Sequence, residues 1–284
     1  EGEKMREINQ ETIIEAVKQL CIEANSVLPC DVRQALKEAY VQEDSSLSRL
    51  TLEVLNENAD IAQDTNAPIC QDTGMACVFV EMGQDVHVQG SLSEAIHEGV
   101  RQGYQLGYLR KSVVDDPMFE RMNTKDNTPA IIHYDVVVGD RLKITVAPKG
   151  FGSENMSQIK MLKPSDGVQG VKDFVMKVVY DAGPNACPPM VIGVGIGGSF
   201  DYVTVLAKKA MLRTVGSHHQ DPRYQALEKE LLEKINQTGI GPAGYGGRTT
   251  ALSLNIETYP THIAGLPVAV SICCHVARHK EVVL

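Results

Sequence analysis

Three of the seven cysteines occupy segments where a thiolate could bind iron. Cys70 lies in Pro68-Ile69-Cys70-Gln71-Asp72-Thr73-Gly74, and Cys187 in Gly183-Pro184-Asn185-Ala186-Cys187-Pro188-Pro189. Cys274 ends an apolar run that begins at Val268. Loops rich in Gly, Pro, Asn and Asp expose main-chain N–H groups, which hydrogen-bond cluster sulfides and tune their potential. The long spacing excludes a compact ferredoxin run. There is no CxxC, which argues against zinc ribbons and thioredoxin-like redox sites. Three thiolates on a cubane cluster would leave one iron without a protein ligand, an open Lewis acid. On spacing alone, three unrelated buried thiols are the more economical reading.

The elements that must hold these residues follow from periodicity. Ile13, Ile14, Val17, Leu20, Cys21 and Ala24 share one helical face. Asp31 is a candidate N-cap for a second helix with Val32, Ala35, Leu36 and Ala39 inward. Leu47, Leu50 and Val54 indicate a third. Met75–Met82 reads as a strand and Glu94–Gln105 as a helix. Ala130–Val138 and Arg141–Ala147 read as a hairpin turned at Gly139-Asp140. Helices are expected at Val168–Tyr180, Ser199–Arg213 and Pro222–Gln237, with a buried strand at Met190–Gly195. Leu252, Leu254 and Ile256 alternate with polar residues, which predicts a strand with one wet face; Val268, Val270 and Ile272 alternate likewise. The expected architecture is α/β, with mixed β-sheets flanked by helices. A helical N-terminal segment, 1–63, packs on a catalytic domain, 64–284, the whole forming one continuous domain.

Composition narrows the function classes. The 284 residues are 43% hydrophobic and 22% charged, an ordinary globular balance. The net charge of −9 argues against a broad nucleic-acid surface. No apolar run approaches the roughly 18 residues that a membrane-spanning helix needs, and the charged start gives no secretory signal. A cytoplasmic, reducing compartment is expected, with no membrane and no nucleic-acid partner. Gly193-Val194-Gly195-Ile196-Gly197-Gly198 has the wrong spacing for a dinucleotide fingerprint and reads as a tight strand-to-helix turn near the cluster. Gly244–Thr250 lacks a Walker lysine. His218-His219 is a weak metal signal, because adjacent side chains rarely converge on one ion.

Several longer motifs resemble a known family. They are Pro68–Gly74, Leu109–Asp115, Lys149-Gly150-Phe151-Gly152-Ser153-Glu154-Asn155, Asn185–Pro189, Gly193–Gly198, and His262 through Leu266–Val270 to Cys274. Together they are similar to the class I, iron–sulfur fumarate hydratases, a family that includes L-tartrate dehydratase. The Gly-Ser-Glu-Asn and Gly-Ile-Gly-Gly segments are closer to the fumarase branch. Two departures stand out: Phe151 in place of a usual glycine, and His275 where tryptophan is common.

The resemblance implies a 4Fe–4S cluster on Cys70, Cys187 and Cys274. Cys274 continues the strand phase of Val268, Val270 and Ile272, whereas Cys273 points the other way. It also implies a dicarboxylate substrate, fumarate or malate. Arg110 and Gln71 would bind a carboxylate, and Lys149, Gly150 and Gly152 would form a loop offering a cation and N–H groups. Asp72 and His262 would act as catalytic residues, although Asp before Thr-Gly is equally an Asx-turn residue and His after Pro-Thr often a surface residue. The expected protein is the alpha subunit of a hydro-lyase. A separate beta subunit would complete the active site of the hetero-oligomer. A tartrate or other 2-hydroxy diacid dehydratase, and a non-catalytic iron–sulfur module, are the alternatives.

Overall fold

The computed structural model describes residues 5–284. They form two compact units, neither drawn from one stretch of chain. The first comprises the chain up to Pro29, Ala59–Gly150 and Arg278–Leu284; the second comprises Cys30–Asn58 and Phe151–Ala277.

In the first unit, β1 (Arg6–Asn9) leads into α1 (Gln10–Ser26), whose start is capped by Asn9: Oδ1 accepts the Thr12 N–H at 2.8 Å. After β2 (Met75–Gly83) and β3 (Val86–Gln89), Ser91 caps α4 (Leu92–Leu106) in the same way. Here α2 (Cys30–Gln42) and α3 (Ser46–Thr65) come earlier in the chain. β1 pairs with β3 in parallel. β4 (Ile131–Val137), β5 (Leu142–Lys149) and β10 (Lys280–Val283) join β2 in a sheet of order β10-β5-β2-β4. The apolar faces of α1 and α4 bury Ile13, Val17, Ile96, Val100 and Tyr104 together with Val78, Val80, Ile144 and Val146.

The expected hairpin of β4 and β5 does not form. β2 lies between them, parallel to β4 and antiparallel to β5. β2 is buried along most of its length, whereas β4 is largely exposed, so the more apolar strand takes the centre and the weaker one the edge.

The second unit is built on a sheet of order β6-β9-β7-β8. Its elements are α5 (Phe151–Glu154), β6 (Gln158–Leu162), α6 (Gly167–Ala182), β7 (Met190–Gly197), α7 (Tyr202–Ala210), α8 (Pro222–Asn236), β8 (Ala251–Tyr259) and β9 (Leu266–Cys273). One face of the sheet meets α6 and α8 in an apolar core that includes Val175, Val178, Ile192, Val194, Leu231, Ile256 and Val270. The other face is covered by α7. A Cβ on Gly195 would lie 2.2 Å from the Val203 carbonyl oxygen, so glycine lets the helix sit directly on the strand.

Two further expectations change. The polar face of β8 is not wet: Ser253 and Asn255 are buried, and Asn255 Nδ2 donates to the Ala210 carbonyl at 3.2 Å. Leu47, Leu50 and Val54 lie on the exposed face of α3, while Ser48 and Leu52 face inward. Ser48 Oγ donates to the Gly246 carbonyl at 2.5 Å, a long-range tie that apolar periodicity does not reveal. Asp31 sits inside the first turn of α2 and is not its cap; its carboxylate accepts the Val215 N–H at 2.6 Å. The three N-terminal helices are also shared out, with α1 in the first unit, α2 in the second and α3 running from one to the other.

Candidate active site

In the first unit the Cys70–Gly74 loop is fixed from several directions. Ile69 is buried and its N–H reaches the Asn25 carbonyl at 2.9 Å. Cys70 is half-buried, and the Asp72 N–H points at its sulfur at 3.4 Å, the contact by which a main-chain donor steadies a thiolate. Asp72 closes an Asx turn, Oδ1 accepting the Gly74 N–H at 2.9 Å. Tyr104 donates to the Thr73 and Gly74 carbonyls at 2.7 and 3.0 Å. Burial pushes its phenol well above the usual value, so the ring oxygen stays a donor. Gly74 has φ +74, and a Cβ there would lie 2.7 Å from the Lys149 main chain; only glycine lets the loop dock on the end of β5.

That docking gathers other expected residues. Thr73 Oγ1 donates to the Arg110 carbonyl at 3.1 Å, which leaves the Arg110 side chain exposed beside the loop. A Cβ on Gly150 would stand 3.2 Å from Asp72 Oδ2, so the carboxylate faces the Lys149–Gly150 segment. Lys149 is buried, and its Nζ donates to the Gly150 carbonyl at 3.0 Å. Gln71 is exposed.

One residue that sequence reasoning left without a role belongs here. Arg278 is 6% exposed; its Nη2 donates to the Asp72 carbonyl at 2.5 Å and its Nε to the Pro148 carbonyl at 3.4 Å. Its Nη1 is buried without a hydrogen-bond partner, an orphaned donor of positive charge beside Asp72.

In the second unit, antiparallel β7 and β9 bring Cys187 and Cys274 to one end of the sheet, with Val191 opposite Cys273. Cys187 is exposed and Cys274 half-buried. The 275 N–H and the His275 ring Nδ1 both meet the Cys187 carbonyl, at 3.3 and 3.1 Å. α5, which carries Gly152, packs at this same end: Ser157 just beyond it accepts the Ile272 N–H at 3.0 Å. Around Gly152 there is open space where a side chain would otherwise stand.

Within the second unit, His262 and Cys274 lie at opposite ends of β9. His262 precedes β9 and Cys274 follows it, and a rise of about 3.3 Å per residue spreads that strand over roughly 23 Å. His262 is exposed in the turn between β8 and β9, its Nδ1 accepting the Ala264 N–H at 3.2 Å. The Gly197-Gly198 turn lies at that far end too, where Gly198 N–H meets the Pro260 carbonyl. The expected turn near Cys187 is therefore at the opposite end of β7.

The remaining thiols are of a different kind. Cys21, Cys77 and Cys273 are buried, and burial pushes the Cys21 thiol up to about 12. Cys273 Sγ turns toward the Val276 carbonyl. Cys30 is exposed on α2. Among the described residues no three His, Cys, Asp or Glu side chains converge as a metal site. The donor chemistry nevertheless suits an iron–sulfur group: three accessible soft thiols, one already taking an N–H···S contact, and a buried orphaned guanidinium nitrogen beside the Cys70 loop.

The family model for fumarate hydratase (Fumerase) matches residues 14–283. A Methanocaldococcus jannaschii protein provisionally named L(+)-tartrate dehydratase subunit alpha is 45% identical over 271 residues, covering 94% of this chain and 95% of the relative. L(+)-tartrate dehydratase subunit alpha of Escherichia coli strain UTI89 is 34% identical over 282 residues, or 98% of this chain and 92% of the relative. Its counterpart in Escherichia coli strain K12 is 33% identical over the same lengths.

Proposed function

The chain belongs to the fumarate hydratase (Fumerase) family, and on that premise we propose that it is the alpha subunit of a hydro-lyase that interconverts malate with fumarate and water. The observation that carries the reading is the Cys70–Gly74 loop, where one tight turn ties an accessible thiol to a carboxylate and is locked by Tyr104 and Arg278. Cys70, Cys187 and Cys274 would hold a 4Fe–4S cluster. When bound, such a group supplies an iron without a protein ligand, a Lewis acid for the substrate hydroxyl.

The chain's own residues supply the rest. Arg110 and Gln71 are exposed beside the loop and suit a substrate carboxylate, Arg110 by a bidentate pair. The main-chain N–H groups around Gly150 and Gly152 offer further donors, with the Lys149 charge behind them. Asp72 Oδ1 is engaged by Gly74, which orients Oδ2 to hold the proton exchanged with the departing water. Arg278 Nη2 holds the Asp72 main-chain carbonyl and so fixes the turn from which the carboxylate projects. His262 has no part in this reading, because β9 separates it from Cys274.

A second substrate is favoured by a specific observation: relatives at 33 to 45% identity carry the name L(+)-tartrate dehydratase subunit alpha. L-tartrate is also a 2-hydroxy diacid and asks the same of Arg110, Asp72 and the Gly150 segment. Their designation as alpha subunits supports a separate beta subunit that supplies the remaining cations and the base for the C3 proton. No helix among the described residues is long and apolar enough to cross a membrane, and seven cysteines outside any disulfide suit a reducing compartment such as the cytoplasm.

The test is anaerobic. Iron and sulfide are first measured in the purified protein, and turnover of malate and L-tartrate is then compared with and without the beta subunit. Four iron and four sulfide per chain, with malate preferred and activity only in the complex, is the expected result. Preference for tartrate selects the second substrate. Full activity of the chain alone refutes the two-subunit reading, and absence of iron refutes the cluster.

A further inference from the structure

Cys187 holds an unfavourable backbone. Its φ and ψ are 51° and 62°, the left-handed region that residues with a Cβ avoid. It also precedes Pro188, whose ring pushes the residue before it toward extended conformations. Both effects drive Cys187 out of the observed state.

Hydrogen bonds on both sides of the residue oppose them. The Cys187 N–H is held by the Pro184 carbonyl at 3.0 Å. Its carbonyl receives two donors from one residue: the His275 main-chain N–H at 3.3 Å and the ring Nδ1 at 3.1 Å. A carbonyl oxygen only accepts, so Nδ1 carries the proton and Nε2 is left as the acceptor in the neutral ring. The main-chain donor is available whatever residue stands at 275. The ring donor is the part that depends on histidine.

We propose that His275 is a positioning residue for Cys187: its ring clamps the Cys187 carbonyl and so holds the left-handed backbone that presents the thiol next to the segment of Cys274. The inference rests on the reading of Cys187 as a cluster ligand. It adds that the geometry of this ligand is set by the side chain that follows another ligand.

The experiment uses apoprotein of the full chain with 13C-labelled cysteine, in wild type, His275→Ala, His275→Trp and His275→Asn. The Asn amide restores a donor near the position of Nδ1. The Cα and Cβ shifts of Cys187 should move from left-handed toward extended values in the Ala and Trp variants and stay in place in the Asn variant. The shifts of Cys30, exposed on α2, report a fold left intact. On reconstituted protein, iron should pass to a chelator about fivefold faster from the Ala and Trp variants, the effect of losing one hydrogen bond. Unchanged Cys187 shifts in His275→Ala overturn the proposal, as does an Asn variant that behaves like Ala. The shifts are read without iron, so a wild-type protein that takes up no cluster defeats the ligand reading and leaves the clamp to be decided by the shifts.

Discussion

Arg278 donates from Nη2 to the main-chain carbonyl of Asp72 at 2.5 Å, although 206 residues separate them in the sequence. A buried guanidinium thus braces the turn that carries both the Cys70 thiol and the Asp72 carboxylate. Arg278→Met should leave the Asp72 carbonyl without its donor and destabilise the chain by about 1–3 kcal/mol. Arg278→Lys keeps the charge but cannot serve Asp72 and Pro148 together, and should lower kcat/KM by roughly tenfold. Denaturant unfolding checks the first expectation and steady-state kinetics the second.

Asp72→Asn keeps an oxygen for the Gly74 N–H and removes the proton-holding charge. The expected outcome is a kcat lower by roughly 10²–10⁴ at unchanged iron content, the scale of acid–base assistance. Kinetics of iron-matched enzyme decide it; wild-type turnover would reduce Asp72 to its role in the turn.

Serine at Cys70, Cys187 or Cys274 should abolish cluster uptake, read as loss of the brown chromophore and of bound iron. Serine at Cys21, Cys30, Cys77 or Cys273 should not, because three of these thiols are buried and the fourth stands alone on α2. Loss from Cys273→Ser with Cys274→Ser harmless would exchange the two.

Asp126 supplies a pH signature. Burial favours its protonated form, but the Thr128 N–H and hydroxyl and the Arg101 guanidinium outweigh that and lower its pKa to about 2. The unfolded value is about 3.9. The native state therefore prefers the carboxylate, so its contribution is complete above about pH 4 and fades as pH falls toward 2. The urea midpoint of wild type should drop between pH 5 and pH 3 by more than that of Asp126→Asn. Equal drops would assign the acid sensitivity to other carboxylates.

Local patterns made much of this molecule legible. α1, α4, α6 and α8 carry apolar stripes that end close to their observed limits, and the Asp-containing loop that runs from Cys70 to Gly74 is the tight turn its residues predict. Pairing was not legible. The short segment between β4 and β5 suggested a hairpin, but β2 had more apolar surface to bury and separated them. The stripe of Leu47, Leu50 and Val54 indicates a helix without saying which side meets the protein, and Ser48 and Asn56 turn inward through hydrogen bonds instead. Arg278 has no sequence signature because its partners are main-chain carbonyls. The separation of His262 from Cys274 was legible: the alternating run between them already demands a strand, and a strand keeps its ends apart.

The last strand of the first unit has a consequence for biosynthesis. β10 pairs with β5, and Arg278 secures the Cys70 turn, yet both lie beyond the whole Phe151–Ala277 stretch of the second unit. Ribosomes add about 5–20 residues per second, so the 128 residues from Gly150 to Arg278 take roughly 6–26 s to make. Throughout that interval Cys70 is attached to a turn without its brace and a sheet without its edge. If Cys70 is a cluster ligand, its thiol has to stay reduced and unclaimed by stray metal until Arg278 arrives, and cluster delivery would be a late event set by the order of translation.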